Sequence, residues 1–326
     1  MYHIVLCMAV MTLLSCSREE HTPDDPVAAI SFEFPSVLTK SLVESVSDLE
    51  GGFGVYASRY TAAYTASDFI SNLNVAKDGS YTGAYYWAPG ASHLFFAVYP
   101  WADPDSDVVD NGVSYEMDPA TRKRIDVNYT DLTDILYDAV LFEDPFVPGS
   151  RPGKIKFDLK HACSAISFCV NNLSGKNIKS ITKTGSLDDV SIDGLNTKGD
   201  LSIVLQDGEA AAVWENVSTG NSLVLPAINI VGDDTWPDGE QRDWHTHIII
   251  PQNYAALEVS MSFRIDYENN DYYTFTVNLS DIKTEAGGYE YHAGKHYKYK
   301  IDITNQDIMC YVNIVPWVED DTIILE

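Results

Sequence analysis

The chain has 326 residues, of which 45% are hydrophobic and 12% aromatic, and this composition excludes a globally disordered protein. It contains 48 Asp and Glu against 21 Lys and Arg, which gives a formal net charge of −27. Such a charge repels phosphate backbones and anionic lipid headgroups. We therefore expect no nucleic-acid partner and no membrane attachment other than a covalent anchor.

The chain begins with the pattern of an export signal. The apolar run over residues 4–14 is too short to cross a bilayer but has the length of a signal-peptide core. It ends in Leu13-Leu14-Ser15-Cys16, which resembles a lipobox because a small residue precedes the cysteine. We predict that residues 1–15 are cleaved off between Ser15 and Cys16, and that Cys16 carries the acyl lipid. An ordinary secretory signal with an incidental cysteine is the alternative.

Residues 16–27 are polar and form the predicted tether. Their acidic stretch, Ser17-Arg18-Glu19-Glu20, resembles the tag that sends some Bacteroidetes lipoproteins to the outer face of the outer membrane. A solvated tether explains these four residues equally well.

Residues 28–38 alternate Ile30, Phe32 and Phe34 with small or polar residues, which predicts a strand. Further short strands are predicted along the whole chain, and two short helices are predicted at 67–73 and 132–137. The strands are at 54–58, 81–87, 93–99, 154–159, 165–170, 178–182, 201–205, 222–225, 246–250, 257–267, 272–279, 297–303 and 309–314.

Many short strands separated by turns favour an all-β protein with two tandem β-sandwich domains. The sequence Asn171-Asn172-Leu173-Ser174-Gly175 interrupts the pattern, so the predicted domains are residues 28–172 and 173–326. In the strand at 272–279, four apolar side chains are expected on one face: Tyr273, Phe275, Val277 and Leu279.

Catalytic signatures are absent from the sequence, so we predict that the chain is not an enzyme and carries no cofactor other than the lipid on Cys16. His245 and His247 could form half of a metal site, but no third ligand follows, and we predict no metal. The stretch 103–107 begins like a calcium loop but lacks its glycine and its final glutamate, which indicates a solvated acidic loop.

Three cysteines remain after Cys16, namely Cys163, Cys169 and Cys310, and this odd number does not indicate a set of disulfides. The first two are expected on one face of a strand as small core residues. A group of aromatic residues is predicted to lie in the core of a sheet, and a sugar-stacking platform is the alternative. The group consists of Tyr81, Tyr85, Tyr86, Trp87, Phe95, Phe96, Tyr99 and Trp101.

A series of motifs, in this order and spacing, resembles the fimbrillin (Mfa-like) family of Bacteroidales lipoproteins. The motifs are Tyr86-Trp87-Ala88-Pro89-Gly90, residues 94–100, 134–139 and 157–162, Gly194-Leu195 with Gly199-Asp200-Leu201, Pro251-Gln252, Gly294-Lys295-His296-Tyr297 and Val315-Pro316-Trp317. The resemblance implies transthyretin-like sandwiches and a pilin that reaches the cell surface as a lipoprotein.

The resemblance also implies a route of assembly. A trypsin-like protease removes the lipidated N-terminal segment with its first strand, and a strand from the next subunit fills the exposed groove. In this chain the groove-filling strand is expected to carry Ile30, Phe32 and Phe34, with cleavage after Lys40. Residues 319–326 are the candidate donor, or the last edge strand of their own sheet.

The function expected from this resemblance is that of a structural subunit of a cell-surface fimbria, as shaft, anchor or tip, that supports adhesion. Its expected partners are other fimbrial subunits through strand complementation, the outer membrane through the lipid, and a glycan or protein on a host or bacterial surface. The alternative is a monomeric surface lipoprotein that binds glycan.

Overall fold

The computed structural model describes residues 28–33, 36–37, 51–61, 64–88, 90–103, 112–129, 133–143, 153–232, 234–283, 288–305 and 307–316. Ser15, Cys16, Phe34 and Lys40 lie outside the described residues, so their assigned roles stay predictions. Within the described ranges, no helix is long and apolar enough to cross a membrane.

The described residues form β-strands and one 3-10 turn at Leu279–Asp281. The strands are β1 (Ser36–Val37), β2 (Phe53–Thr61), β3 (Tyr64–Val75), β4 (Ser92–Tyr99), β5 (Val113–Met117), β6 (Arg124–Tyr129), β7 (Leu136–Phe142), β8 (Asp158–His161), β9 (Ser164–Asn172), β10 (Ile178–Lys183), β11 (Val190–Asp193), β12 (Asn196–Gln206), β13 (Glu209–Thr219), β14 (Leu223–Leu225), β15 (Ile228–Asn229), β16 (Gln241–Ile249), β17 (Gln252–Asn253), β18 (Ser260–Tyr267), β19 (Tyr272–Asn278), β20 (Glu290–Tyr291), β21 (Lys295–Ile303) and β22 (Ile308–Pro316). The prediction of an all-β protein is confirmed.

The strands form four larger sheets and one short pair. Sheet A has the order β1-β8-β7-β4-β2-β3, and sheet B has the order β13-β12-β6-β5. Sheet C has the order β16-β9-β21-β22. Sheet D has the order β14-β11-β18-β10-β15, with β19 also paired to β18, and β17 pairs with β20.

Sheet A has apolar residues on both faces. In its strand β4, Leu94 and Phe96 belong to the core shared with sheet B, whereas Phe95 belongs to a second core that includes Ile30 and Phe32. A strand buried on both faces reads as a continuous apolar run rather than as an alternation. This explains the uninterrupted apolar sequence of residues 94–98.

Sheets C and D supply a third core. It contains Phe168 of β9, Tyr299 of β21 and Phe263 of β18, and the first two rings stack with centroids 5.2 Å apart. The face predicted for residues 272–279 is confirmed, because all four of its apolar side chains contribute to this core or pack against it.

Strands from before and after the predicted boundary at residue 172 pair with one another in two sheets. Strand β9, which ends at that residue, pairs with β16 and β21 in sheet C. Strand β12, which follows it, pairs with β6 of sheet B, with Leu201 opposite Val127. The sheets therefore do not divide at residue 172, and the division into two domains stays a prediction.

Both predicted helices are wrong. Residues 67–73 lie in β3, and residues 136–137 of the second segment begin β7. In β3 the register with β2 shifts repeatedly, and Asn72 has a φ of +50°. These bulges leave Ile70 and Leu73 buried three residues apart, which imitates the spacing of a helix face.

Candidate functional site: the seat of the N-terminal strand

The segment 28–33 lies between two other stretches of chain. On one side Ala29 forms an antiparallel bridge with Tyr86, and on the other Phe32 forms a parallel bridge with Ile155. After Phe34 the chain continues into β1, which runs parallel to β8 with Val37 opposite Leu159. We call the surroundings of residues 28–33 the strand seat; it consists of residues 79–87, Phe95 and residues 153–157.

Four backbone hydrogen bonds hold the segment in the seat. Ile30 N–H donates to Tyr85 O at 2.9 Å, and Trp87 N–H donates to Ala28 O at 3.1 Å. On the opposite side, Ile155 N–H donates to Ser31 O at 2.8 Å and Glu33 N–H donates to Ile155 O at 2.8 Å. The segment is thus paired along both edges, although its neighbours form isolated bridges rather than long strands.

The side chains of the segment alternate between buried positions and positions that are at least partly exposed. Ala28, Ile30 and Phe32 are buried, and the last two are each only 1% exposed, whereas Ala29 and Glu33 are exposed. The inward side chains grow along the strand from methyl to branched aliphatic to aromatic. The seat therefore has three successive sites of increasing size.

Aromatic rings enclose Phe32. Its ring centroid lies 5.5 Å from that of Tyr81, 6.2 Å from that of Phe95 and 6.3 Å from that of Phe157. The Tyr81 hydroxyl donates to the carbonyl oxygen of Ile30, which adds a polar tie to the strand's backbone. Such a pocket selects a large flat side chain, because a smaller one would leave a cavity among the three surrounding rings.

Gly79 lets a turn approach the strand closely. Its φ is +80°, and a Cβ at this position would lie 2.6 Å from the carbonyl oxygen of Phe32. The pair Asp78-Gly79 is a sequence signal for a turn. The sequence alone does not show that this turn lies against residue 32.

His93 packs against the part of the strand seat that contains Trp87. Its ring lies 4.9 Å from that of Trp87, and its Nε2 accepts a hydrogen bond from Ala88 N–H at 3.2 Å. Burial, with a smaller contribution from the charge of Arg59, lowers the pKa of His93 to about 4. The imidazole is therefore neutral at pH 7 and can act as the acceptor for the chain that flanks the strand.

Two residues of the segment itself were predictable from the sequence, whereas residues around it were not. Ile30 and Phe32 come together in the seat as the inward residues of one strand, and their role in assembly stays a prediction. Gly79, Tyr81 and His93 were not assigned to this site. Gly79 and Tyr81 contact residues 47 and 51 positions away in the sequence, and His93 acts on the chain that flanks the segment rather than on the segment itself.

The other singled-out residues do not form a second site of this kind. His245 and His247 have ring centroids 4.6 Å apart, but the described residues contain no group of three or more potential metal ligands. Of the described cysteines, Cys163 is buried and precedes β9 rather than lying in it; all three are free thiols. Of the stretch 103–107, only Asp103 is described.

The aromatic set is mainly core. Trp87, Phe95 and Phe96 are buried, whereas Tyr86 is 49% exposed. Tyr81, Tyr85 and Tyr99 are partly buried and pack against the same core as Trp87 and Phe95, which supports the interpretation as sheet core.

Comparisons with known proteins agree with the fold. A family model described as fimbrillin-like matches residues 43–317. The structure of a fimbrial protein from Bacteroides vulgatus is similar, with a TM-score of 0.57 at 14% identity over 89% of this chain and 99% of that chain. A fimbrial assembly protein from Parabacteroides distasonis matches with a TM-score of 0.42 at 10% identity, covering 87% of this chain and 94% of that chain. No curated protein matches the chain.

Proposed function

Because the chain belongs to the fimbrillin-like family, we propose that it is a structural subunit of a cell-surface fimbria, assembled by strand exchange after its N-terminal strand is removed. In this role it is shaft, anchor or tip, it supports adhesion, and it has no catalytic activity. The observation that carries the proposal is the paired and buried state of residues 28–33 in the strand seat.

Removal of that segment would leave a surface that is unstable in water. The seat would lose the partners of four backbone groups, two beside Tyr85 and Trp87 and two at Ile155. It would also expose the apolar sites of Ala28, Ile30 and Phe32. Unpaired edges beside apolar pockets are a template for an added strand, with the backbone supplying affinity and alternate side chains supplying specificity.

The proposed cleavage site and lipid site fit this scheme. Lys40 follows Glu33 by seven residues, so a cut after Lys40 separates residues 28–37 from the strands that begin at Phe53. The proposed lipid on Cys16 leaves with the same fragment, and the subunit is then held by its neighbours rather than by the outer membrane. A subunit that is not cut keeps its lipid and serves as an anchor.

The first test is the N-terminus of the mature surface protein, measured by mass spectrometry. We expect it to begin at residue 41, and Lys40→Gln to retain the acylated N-terminus and form no polymers. A wild-type protein that keeps acylated Cys16 contradicts the cleavage proposal for this subunit.

A second test separates strand exchange from cleavage. A synthetic peptide of residues 28–37, added to the cleaved protein, should occupy the empty seat and block polymerisation. The matched control is the same peptide with Phe32→Asp, which places a carboxylate in an aromatic pocket and should not compete. Equal inhibition by both peptides, or by neither, rules out this seat as the site of exchange.

A further inference from the structure

A second concave site lies far from the strand seat in sequence. It is a cleft of about 920 Å³ whose walls are β6, the hairpin β12–β13, the residues before β14, and β16. Its lining combines residues from both sides of residue 172 and includes none of the residues of the strand seat. The cleft therefore requires the pairing of β12 with β6 but not the N-terminal strand.

The lining of the cleft is polar and nearly uncharged. Hydroxyl and amide side chains predominate; they are Asn128, Thr197, Asn216, Ser218, Asn221, Ser222 and Thr246. The formal charges are one cation, Lys198, and one anion, Asp200. His247 adds no charge at neutral pH, because burial lowers its pKa to about 4. The lining therefore has equal numbers of positive and negative charges, whereas the whole chain has a net charge of −27.

Several lining groups are held in place by other lining groups. Asn216 Nδ2 donates to Asp200 Oδ2 at 2.6 Å, and Thr197 Oγ1 donates to Asn221 O at 3.0 Å. The Tyr129 hydroxyl donates to Gly199 O at 2.5 Å, which fixes its ring in the wall. Pre-positioned polar groups bind a ligand at a lower entropic cost than mobile ones.

The hairpin is irregular at the cleft. The register of β12 with β13 shifts between Asn196 and Lys198 and again between Lys198 and Asp200. Asn216 on the opposing strand has a φ of +51°. Bulges of this kind re-aim side chains, and they are frequent beside functional sites.

Other lining groups are available to a ligand. Within the described part of the chain, the side chains of Asn128, Ser218 and Thr246 make no hydrogen bond, and the first two are exposed. These groups supply both donors and acceptors. Tyr129, Leu223 and Ile248 supply an apolar surface between them.

We propose that this cleft binds a neutral saccharide. Sugar hydroxyls need closely spaced donors and acceptors, and their C–H faces pack against a small apolar or aromatic surface, which is what the lining provides. An anionic ligand would find one lysine and one aspartate in the lining, in a strongly acidic protein. A peptide anchored by apolar side chains would meet hydroxyl or amide groups at eight of the fifteen lining residues.

The test uses the purified full chain and a panel of neutral oligosaccharides: xylohexaose, mannopentaose and lacto-N-tetraose. Ser218→Trp places a bulky side chain in the cleft at an exposed position, and Asn128→Ala removes one hydrogen-bonding group. The matched control is Thr274→Trp, at an exposed position on β19 outside the cleft. Calorimetric titration should show binding to at least one probe, with affinity lowered about tenfold or more by Ser218→Trp and less by Asn128→Ala.

The control variant should bind as the wild type does. The proposal is overturned if no probe binds, if Ser218→Trp binds unchanged, or if Thr274→Trp loses binding equally. It is also overturned if the variant Thr246→Cys crosslinks to a neighbouring subunit in the polymer, since the cleft would then be a protein interface. Because the cleft contains none of the strand seat, failure here leaves the assembly proposal intact.

Discussion

The first and last strand segments of the described chain are held by different interactions: buried side chains for residues 28–33, and a backbone ladder for β22. Residues 28–33 make four backbone hydrogen bonds, yet Ile30 and Phe32 are almost completely buried. Strand β22 forms a continuous ladder with β21 over nine residue pairs. Of its described side chains, however, only Val312 is buried, and Tyr311 is 47% exposed.

The difference distinguishes backbone hydrogen bonding, which does not depend on sequence, from side-chain packing, which does. A backbone ladder accepts many sequences, because every residue except proline offers the same donor and acceptor. The strand seat instead accepts a pattern of small, aliphatic and aromatic side chains at alternate positions. The strand exchange that we propose requires such pockets, because they discriminate between donor strands in a way that a backbone ladder does not.

The largest expected effect comes from emptying the aromatic pocket. Phe32→Ala should lower the free energy of unfolding by about 3–5 kcal/mol, because it removes a buried ring and leaves a cavity. Val312→Ala on β22 should cost only about 1–2 kcal/mol. Urea denaturation measures both, with Glu33→Ala as the exposed control; equal losses at residues 32 and 312 would remove the contrast between the two strands.

The next effect is a pH dependence at His93. Its folded-state pKa of about 4 lies below the usual value of 6.5, so the unfolded chain binds a proton more readily. The stability due to neutral His93 is therefore complete above pH 6.5 and is lost as the pH falls towards 4, by about 3 kcal/mol. His93→Gln should flatten the dependence measured by denaturation between pH 7.5 and 4; an unchanged slope contradicts the role of His93.

The smallest effect tests the close turn at Gly79. Gly79→Ala should destabilise the protein by about 2 kcal/mol, through a left-handed backbone and a clash with the Phe32 carbonyl. Gly185→Ala is the matched control, because Gly185 has a φ of +85° but nothing within 4 Å of its Cβ position. The control should lose about 1 kcal/mol, and thermal unfolding of both variants isolates the clash as the difference.

Most strands were predictable from the sequence, and the exceptions have identifiable causes. Residues 272–279 alternate without interruption because β19 pairs with β18 without a register shift. Residues 67–73 were mistaken for a helix because the bulges of β3 change the spacing of its buried residues. Residues 81–87 were predicted as a strand but form only isolated bridges, since their partners are the N-terminal segment and Val75.

The candidate site was predictable only in part. The alternation of Ile30 and Phe32 identified an inward face, and the family resemblance assigned that face a role. The enclosing rings of Tyr81 and Phe157, and the support from His93, come from segments far apart in sequence. No local pattern connects them, because each of these residues has an ordinary place in its own strand or turn.

By itself the sequence determined that the chain is rich in strands, strongly acidic and similar to fimbrillins, because composition, alternation and motif order are properties of the chain alone. Only the tertiary structure decided that β12 joins β6 across residue 172, and that residues 28–33 lie between Tyr86 and Ile155. Hydrogen bonds between strands carry no sequence code, so partner and register are selected when the side chains of distant segments pack into common cores. The alternation of residues 28–33 thus predicted which side chains point inward, but not the residues that form the pocket around them.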